Sequence, residues 1–260
     1  MNRFTHRIAV SVGTAAAAAS LLLAGVIPAA SATSTSVSSR APATVTAQAV
    51  SAQAAYVPAT RTLRYGMSGN DVKALQQRLA ALKYYPGGAD GKFGTYTLEA
   101  VWAFQEVQGL QVDGVVGPVT KRALVSPRAY HSHYPKGGAL RVEVNLTTRV
   151  LVVYQNNKAA LISHISAGGG YRYCGSNGCG YAITPTGRFK TTVFMPGWVT
   201  VPLGLMYDPV FFIRTSYAIH GSNSVPLNPA SHGCVRIPMD IAPFFHTMIK
   251  TPGTPVYVYR

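Results

Sequence analysis

The chain is short of acidic residues, of cysteine and, after its N-terminus, of long apolar runs. Only eight of its 260 residues are Asp or Glu, against 23 Lys and Arg, which gives a formal net charge of +15. Calcium-binding loops are not indicated, because the Asp-Gly turns at Asp90 and Asp113 lack the run of oxygen ligands that such a loop needs. The chain has three cysteines, and two of them, Cys174 and Cys179, lie in a loop apart from the third, whereas a structural zinc site takes four ligands. No later segment approaches the roughly 20 apolar residues of a membrane-spanning helix.

The first 32 residues have the pattern of a secretory signal peptide. Arg3 and Arg7 form a positively charged start, an apolar run continues to about Val26, and Ala30-Ser31-Ala32 supplies an A-x-A cleavage site. A membrane anchor is the alternative, but the run is rich in alanine and is interrupted by serine, threonine and glycine. We therefore predict a signal peptide over residues 1–32 and a secreted mature protein.

Export changes how the positive charge and the next segment are interpreted. Removal of the signal removes two arginines and no acids, so the net charge becomes +13 (15 − 2). A basic protein attracts polyanions, and outside a cell the anionic polymers of a bacterial wall are nearer partners than nucleic acid, for which the chain has no motif. Residues 33–61 are mostly Ser, Thr, Ala, Val and Pro. This composition predicts a disordered linker, because it buries too little apolar surface to offset the entropy lost on ordering.

Residues 62–125 are predicted to form a small domain of three helices. The first helix has Ser68 or Asn70 as its cap and Gly87-Gly88 as its end, the second covers Thr95–Gln108, and a short third follows Gly117-Pro118. The apolar residues at helical spacing are Val72, Leu75, Leu79 and Leu82 in the first helix and Leu98, Val101, Phe104 and Val107 in the second. The turn Asp-Gly-x-x-Gly occurs twice, 23 residues apart (113 − 90), which indicates a duplicated loop–helix unit.

The same segment resembles the three-helix peptidoglycan-binding domain found beside many wall enzymes. The resemblance rests on the order of four features, which are the Leu63–Val72 start, Leu75-Gln76-Gln77-Arg78-Leu79, Ala103-Phe104-Gln105 and the Asp113–Pro118 turn. It implies that peptidoglycan glycan is a partner of this domain. The aromatic residues Tyr84, Tyr85, Tyr96 and Trp102 could stack on sugars or pack in the core.

Residues 126–138 are predicted to be an interdomain linker, and residues 139–260 a mostly β domain. His131 and His133 are too few to predict a metal site in the linker. Short strands bounded by turn signals are expected at Arg141–Asn145, Arg149–Tyr154, Ala159–Ile165, Gly187–Phe194, Val210–Arg214, Ala218–His220 and Val256–Tyr259, with one helix over Pro238–Ile249. The fold class is therefore α+β multidomain, with a sandwich- or barrel-like β domain.

One stretch of the β domain, Ser231–Arg236, combines a cysteine with residues that can activate it. A thiol is nucleophilic as the thiolate, and a nearby histidine or cation brings its pKa towards working pH. His220 lies 14 residues before Cys234 (234 − 220). Gly233 allows a close backbone approach to a substrate, and the amides of Gly233 and Cys234 could face the oxygen of a tetrahedral intermediate. The pattern indicates acyl transfer through a thioester.

Two other interpretations of this stretch remain open from the residues alone. A single cysteine is often a small buried hydrophobic residue. A histidine and a cysteine two residues apart can also be ligands of a zinc ion. We favour the nucleophile, because a structural zinc site takes four ligands and the other cysteines, Cys174 and Cys179, lie in a separate glycine-rich loop.

The stretch together with His220 resembles the signature of the L,D-transpeptidases, cysteine enzymes that cross-link peptidoglycan. The resemblance extends over roughly Leu140–Arg260 and includes the turn Thr184-Pro185-Thr186-Gly187 before Arg188-Phe189. It implies a mostly β catalytic domain with the catalytic stretch on a loop at one end. It also implies that Cys234 is the nucleophile.

Cys174 and Cys179 lie close together in a glycine-rich loop. In an exported protein such a pair is expected to form a disulfide, with a zinc half-site or a redox pair as alternatives. A disulfide would leave Cys234 as the free thiol. A free thiol in a secreted protein is unusual unless it is used.

The transpeptidase resemblance gives roles to the residues around Cys234. His220 is the general base that takes the thiol proton and returns one to the leaving amine. The resemblance implies that the backbone carbonyl of Gly221 orients the His220 ring, and that His232 supports the site without transferring a proton. The amides of Gly233 and Cys234 are the oxyanion donors.

Three more residues are candidates for contact with the substrate. Arg236 could hold a carboxylate of the stem peptide or form an ion pair with Asp240, and the residues alone do not decide between these. Tyr207 and Ser222 are the other two candidates.

The resemblance implies a two-step reaction that needs no metal and no cofactor. The cysteine attacks the carbonyl of the third residue of a donor tetrapeptide stem and expels the terminal D-alanine. A side-chain amine of an acceptor stem then resolves the thioester and makes a 3→3 cross-link. The resemblance also implies acylation by carbapenems, and we expect a monomer associated with the cell wall.

Three other functions compete with this one. Water in place of the acceptor amine would make the protein an L,D-carboxypeptidase, and the residues do not distinguish the two. A papain-like wall endopeptidase would place its cysteine before its histidine at the start of a helix, the reverse of the order here. A non-catalytic wall-binding module fits the helical domain and the charge, but it leaves the pairing of His220 with Cys234 unexplained.

Overall fold

The computed structural model describes residues 56–175, 178–249 and 251–260. The predicted signal peptide and residues 33–55 of the predicted linker lie outside the described residues. In the described ranges, no helix is both long enough and apolar enough to cross a membrane.

The last six residues of the predicted linker, 56–61, are part of the folded unit. Tyr56 and Ala59 pack against the helical core, and Nε of Arg61 lies 2.7 Å from a carboxylate oxygen of Asp71. The prediction of disorder is therefore wrong for residues 56–61. The average composition of the linker does not reflect the contacts that its last residues, Tyr56 and Arg61, make with the helical domain.

The helical domain contains α1 (Asn70–Ala81), α2 (Thr95–Gln108) and α3 (Pro118–Val125). The bounds of α2 are as predicted. The predicted ends of α1 are wrong, because Gly69 with a φ of 144° is the N-cap in place of Ser68 or Asn70, and the helix ends ahead of the Gly87-Gly88 pair. The predicted core residues Val72, Leu75, Leu79, Val101 and Phe104 are buried, whereas Leu82, Leu98 and Val107 are partly buried against the same cluster.

Two buried glutamines hold the repeated Asp-Gly-x-x-Gly turns in the same way. Nε2 of Gln76 lies within hydrogen-bond distance of three oxygens, Asp90 Oδ1 at 2.9 Å, Lys92 O at 3.0 Å and Thr97 Oγ1 at 3.0 Å. Nε2 of Gln105 has the equivalent partners, Asp113 Oδ1 at 2.7 Å, Val115 O at 3.1 Å and Thr120 Oγ1 at 3.2 Å. The duplicated loop–helix unit therefore includes a glutamine from the preceding helix.

Two sheets form the β domain. The first consists, in spatial order, of β3 (Lys158–His164), β2 (Val150–Gln155), β1 (Arg141–Asn145), β11 (Pro255–Tyr259) and β6 (Gly187–Lys190). The second consists of β10 (Val235–Pro238), β9 (Tyr217–Ser222), β8 (Gly204–Ile213) and β7 (Trp198–Val201). A separate hairpin is formed by β4 (Arg172–Gly175) and β5 (Gly178–Tyr181), and α4 covers Ala242–Met248.

The sheets enclose one apolar core, as the sandwich prediction requires. Val142 and Leu151 of the first sheet share it with Val210 and Ile219 of the second, and Phe245 of α4 closes it. The predicted helix over 238–249 is too long at its start, because Pro238 ends strand β10.

The helical domain covers the other face of the first sheet. Alternate residues of β2 point to opposite faces, so that Leu151 and Val153 enter the sandwich core while Val150 and Val152 join the core of the helices. This explains why the run from Val150 to Tyr154 is apolar at every position, since β2 is buried on both faces.

The connecting segment 126–138 is held by a buried carboxylate. Glu143 accepts hydrogen bonds from Ser132 Oγ at 2.5 Å and from the His133 amide at 2.9 Å, and it pairs with Arg141 Nε at 2.8 Å. The His133 ring stacks on Tyr259 with 4.4 Å between ring centroids. The histidine therefore packs on an aromatic ring, and the described residues contain no cluster of three or more potential metal ligands.

Candidate active site

Parallel pairing of β9 and β10 brings the predicted catalytic residues together. His220 on β9 is the register partner of Arg236 on β10, and Cys234 directly precedes β10. Cys234, His220 and Arg236 all line one cavity of about 400 Å³ at the end of the second sheet. Residues separated by 14 positions in sequence thus meet because the two strands run side by side in the same direction.

His220 is buried, with 5% of its surface exposed, and one of its ring nitrogens forms a hydrogen bond within the protein. Nδ1 lies 2.9 Å from the carbonyl oxygen of Gly221. A carbonyl can only accept, so Nδ1 carries the proton and Nε2 is free to accept one. Burial lowers the pKa of His220 to about 4, helped by the positive charge of Arg236 and opposed by the Gly221 hydrogen bond. The imidazole is therefore a neutral base at working pH.

Cys234 is the free cysteine, and its thiol is protonated at rest. Burial raises its pKa above the ordinary value, although the Ala218 backbone amide and the charge of Arg236 act in the opposite direction. The thiol points to the Ser216 carbonyl oxygen at 4.0 Å, and it lines the same cavity as the neutral His220 imidazole without forming an ion pair with it in the described residues. A nucleophilic role for this thiol would therefore require proton transfer to accompany the attack.

The hydroxyl of Ser231 changes the predicted oxyanion site. Ser231 Oγ accepts a hydrogen bond from the Gly233 amide at 3.0 Å and donates to the Cys234 carbonyl at 2.5 Å. The Gly233 amide is therefore occupied, and the prediction that it faces an oxyanion is wrong. The Cys234 amide has no hydrogen-bond partner among the described residues and remains the candidate donor.

Gly233 is required for a reason other than the predicted approach to a substrate. Its φ is 138°, in the region that favours glycine. A Cβ at this position would lie 2.7 Å from Cε1 of Tyr217 and 2.9 Å from the carbonyl oxygen of Ile183. The glycine therefore lets the Tyr217 ring and the Ile183 carbonyl pack directly on the catalytic loop.

Thr184, the first residue of the Thr-Pro-Thr-Gly turn, contacts the catalytic loop directly. Its Oγ1 donates to the Gly233 carbonyl at 2.7 Å and accepts from the Gly168 amide at 2.9 Å. Only 2% of its surface is exposed. Sequence reasoning identified this turn as a family feature but gave the threonine no role.

The β4–β5 hairpin lies over one side of the cavity. Cys174 and Cys179 form the predicted disulfide within it. Tyr173 of the hairpin packs edge-on against the His232 ring, with 4.7 Å between centroids. His232 therefore anchors the hairpin beside the cavity by packing, which fits the supporting role predicted for it.

The three predicted substrate contacts differ in outcome. Arg236 lines the cavity and forms no ion pair with Asp240, whose two carboxylate oxygens are buried without a partner among the described residues. Tyr207 packs against Trp198, and Ser222 bonds to Ser224 in a turn. Neither is among the residues that line the cavity.

Several cavity residues were missed from the sequence. Leu203 in the β7–β8 turn and Leu205 at the start of β8 are exposed apolar residues at the cavity rim. The lining also includes Met206, Thr215 and Tyr217. A tight turn carrying exposed leucines in Val201-Pro-Leu-Gly-Leu205 was the available signal. Its relation to Cys234 depends on the pairing of the whole second sheet.

Two protein families match the chain. Residues 68–124 match a putative peptidoglycan binding domain, and residues 139–258 match an L,D-transpeptidase catalytic domain. The crystal structure of an L,D-transpeptidase from Xylanimonas cellulosilytica is 36% identical with a TM-score of 0.72, and the alignment covers 78% of this chain and all of that one.

Shorter matches link the chain to wall-lytic proteins. The N-acetylmuramoyl-L-alanine amidase CwlL of Bacillus licheniformis is 46% identical over 69 residues, which are 25% of this chain and 18% of that protein. A spore cortex-lytic enzyme of Bacillus cereus is 44% identical over 70 residues, which are 27% of each chain. The chain thus spans about a fifth to a quarter of the length of these curated relatives.

Proposed function

Because the chain belongs to the L,D-transpeptidase family, we propose that it forms 3→3 cross-links between peptidoglycan stem peptides through a thioester on Cys234. The observation that carries the proposal is the shared cavity of the Cys234 thiol and the neutral His220 imidazole, whose Nδ1 is held by Gly221. A nucleophile, a base and a group that orients the base are the parts that covalent acyl transfer needs.

In the first step, Cys234 Sγ forms a bond to the carbonyl carbon of the third residue of a donor tetrapeptide. His220 Nε2 accepts the thiol proton as this bond forms, since its lowered pKa keeps it unprotonated beforehand. The Cys234 amide donates to the negatively charged oxygen of the tetrahedral intermediate. The intermediate then breaks its bond to the terminal D-alanine, and His220 returns the proton to the leaving amine.

In the second step, the side-chain amine of an acceptor stem attacks the thioester carbonyl. His220 now takes a proton from the attacking amine and gives it to the departing Cys234 sulfur. Water at the same position would release a shortened stem and make the protein an L,D-carboxypeptidase.

The remaining parts of the proposal concern location and partners. The signal-peptide pattern supports export, and the net charge of +13 (15 − 2) left after removal of the signal supports attraction to anionic wall polymers. The helical domain is proposed to hold the enzyme on peptidoglycan, and the protein is proposed to act as a monomer. Carbapenems are proposed to acylate Cys234, because their strained carbonyl offers the same target as the stem.

The first test is intact-mass spectrometry of the protein incubated with a carbapenem, beside Cys234→Ala. We expect one added drug mass on the wild type and none on the variant. A folded wild type that gains no mass from the drug or from a donor tetrapeptide would contradict the thioester mechanism.

The second test separates transfer from hydrolysis. The donor tetrapeptide is supplied with and without an acceptor stem, and the products are identified by mass. Cross-linked dimer with acceptor present supports transfer. Shortened stem alone, at the same rate with and without acceptor, would establish the carboxypeptidase in its place.

A further inference from the structure

We propose that Thr184 is a positioning residue that aims the Cys234 amide at the oxyanion of the acylation step, an inference that rests on the proposed function. Thr184 lies 50 residues before Cys234 (234 − 184). It touches neither the thiol nor His220 through a hydrogen bond. Its effect is transmitted through one peptide group.

The Gly233 carbonyl and the Cys234 N–H are the two ends of a single peptide unit. A trans peptide is planar, so its C=O and N–H point in opposite directions and turn together. The Thr184 hydroxyl has one hydrogen, and it is donated to the Gly233 oxygen at 2.7 Å. A peptide held at its oxygen in this way has its N–H directed away from Thr184.

The threonine hydroxyl is itself fixed. The Gly168 amide donates to Thr184 Oγ1 at 2.9 Å, so the oxygen has both a donor and an acceptor partner in a site that is 2% exposed. Hydrogen bonds in a chain polarise one another. A donor on the Gly233 oxygen therefore strengthens the Cys234 N–H as a donor as well as orienting it.

The neighbouring Gly233 amide cannot replace the Cys234 amide as an oxyanion donor. The Gly233 N–H is bound to Ser231 Oγ at 3.0 Å, and the same hydroxyl donates to the Cys234 carbonyl. Both flanking peptide groups of the loop are thus held from inside the protein. In the part of the loop that the structure describes, the His232 and Cys234 amides have no protein partner, and of these two the Cys234 N–H belongs to the peptide that Thr184 holds.

The test compares two reactions of the same thiol in the full chain. Acylation by a carbapenem passes through an oxyanion, whereas alkylation by iodoacetamide displaces iodide at a saturated carbon and forms none. We expect Thr184→Val to slow acylation of Cys234 about 10- to 100-fold. Complete removal of an oxyanion donor typically slows a reaction about 100- to 1,000-fold, and this variant misdirects the donor without removing it. Alkylation should stay within about twofold of the wild type.

Matched variants separate this role from general damage. Thr184→Ser keeps the hydroxyl and should restore the wild-type ratio of acylation to alkylation. Thr186→Val makes the same change at an exposed position of the same turn and should leave the ratio unchanged. If Thr184→Val does not fold, Thr184→Ala is measured below its melting temperature by the same ratio.

Each outcome decides a different question. Equal slowing of both reactions in a folded variant would mean that Thr184 positions the thiol and not the amide, which overturns the proposal. Acylation of Thr184→Val at the wild-type rate would also overturn it, while leaving the proposed function intact. A wild type that is alkylated but never acylated would contradict the proposed function and, with it, this role.

Discussion

Glu106 of α2 and His164 of β3 join the helical and catalytic domains through a buried hydrogen bond. His164 Nδ1 lies 3.0 Å and 3.1 Å from the two carboxylate oxygens, and its Nε2 lies 3.2 Å from the carbonyl oxygen of Val225. The Val225 carbonyl can only accept, so Nε2 of His164 carries a proton. A second proton lies between Nδ1 and the Glu106 carboxylate, because a hydrogen bond between these two acceptors requires one. Val225 belongs to the loop between His220 and Cys234, which connects the domain interface to the catalytic loop.

Glu106→Ala should destabilise the whole described unit. Removing Glu106 leaves His164 buried without its partner, which should lower the free energy of unfolding by about 3 kcal/mol. Urea unfolding at neutral pH measures the loss as a lower midpoint at unchanged slope. Arg61→Ala, which breaks the exposed pair with Asp71, is the control and should change the midpoint far less. Equal effects of the two variants would mean that the buried pair carries no special weight.

Two unpaired carboxyls at the domain boundary should make stability fall as pH rises. Burial raises the pKa of Asp240 to about 7, and burial together with the Asp240 charge raises the pKa of Glu99 to about 8. The folded state therefore keeps protons that the unfolded state has already released, and it loses stability as pH rises through about 7 to 8.

The Glu99→Gln variant tests this pH dependence. We expect its melting temperature to exceed that of the wild type by a few degrees at pH 8.5 and to vary less between pH 6.5 and 8.5. Asp240→Asn should flatten the curve too, because it removes both its own titration and the charge that raises the Glu99 pKa. Parallel curves for the wild type and both variants would refute the assignment.

The reaction of Cys234 should depend on pH in two separate ways. Acylation should weaken only as pH falls towards 4, where His220 becomes protonated. Alkylation by iodoacetamide, which needs the thiolate, should still be rising at pH 9, because burial raises the Cys234 pKa. Arg236→Gln should move both profiles to higher pH, since the arginine charge lowers both pKa values. A preformed ion pair would instead give fast alkylation near neutral pH.

Gly233→Ala should slow acylation by about 100-fold or more, because displacement of a reacting group by about 1 Å can have this effect. The added Cβ would meet Tyr217 and the Ile183 carbonyl at less than 3 Å, and the loop would have to move. Gly253→Ala is the matched control, since Gly253 also has a positive φ, 96°, but has open space around the position of a Cβ. Stopped-flow acylation measures both, and similar losses would assign the effect to backbone strain alone.

The parts of the protein that were predicted well depend on local pattern. The bounds of α2 follow from apolar spacing between two glycine turns, and Gly109 with a φ of 66° ends the helix. The sequence signature also selected Cys234 and His220, which the structure places on one cavity, because the signature residues and their spacing are specific. In both cases the information lies within about 20 consecutive residues.

The oxyanion prediction shows where local reasoning ends. Adjacent glycine and cysteine amides suggest a pair of donors, yet Ser231 occupies one of them and Thr184 orients the peptide of the other. The sequence does not show which backbone groups the Ser231 hydroxyl bonds, because several lie within its reach. The unbroken apolar run of β2 is likewise explained only by the tertiary structure, because the helical domain packs on the face of the first sheet opposite the sandwich core.

The sequence by itself determined the family of the catalytic domain and the candidate residues for its chemistry, because residue types and short spacings define a thiol, a base and their neighbouring groups. Only the tertiary structure decided that Ser231 occupies the Gly233 amide, that the Asp240 carboxylate is buried without a partner among the described residues, and that Thr184 holds the catalytic loop. These depend on hydrogen-bond partners that lie 49 residues apart, as Thr184 and Gly233 do, and the choice among such partners is made by packing.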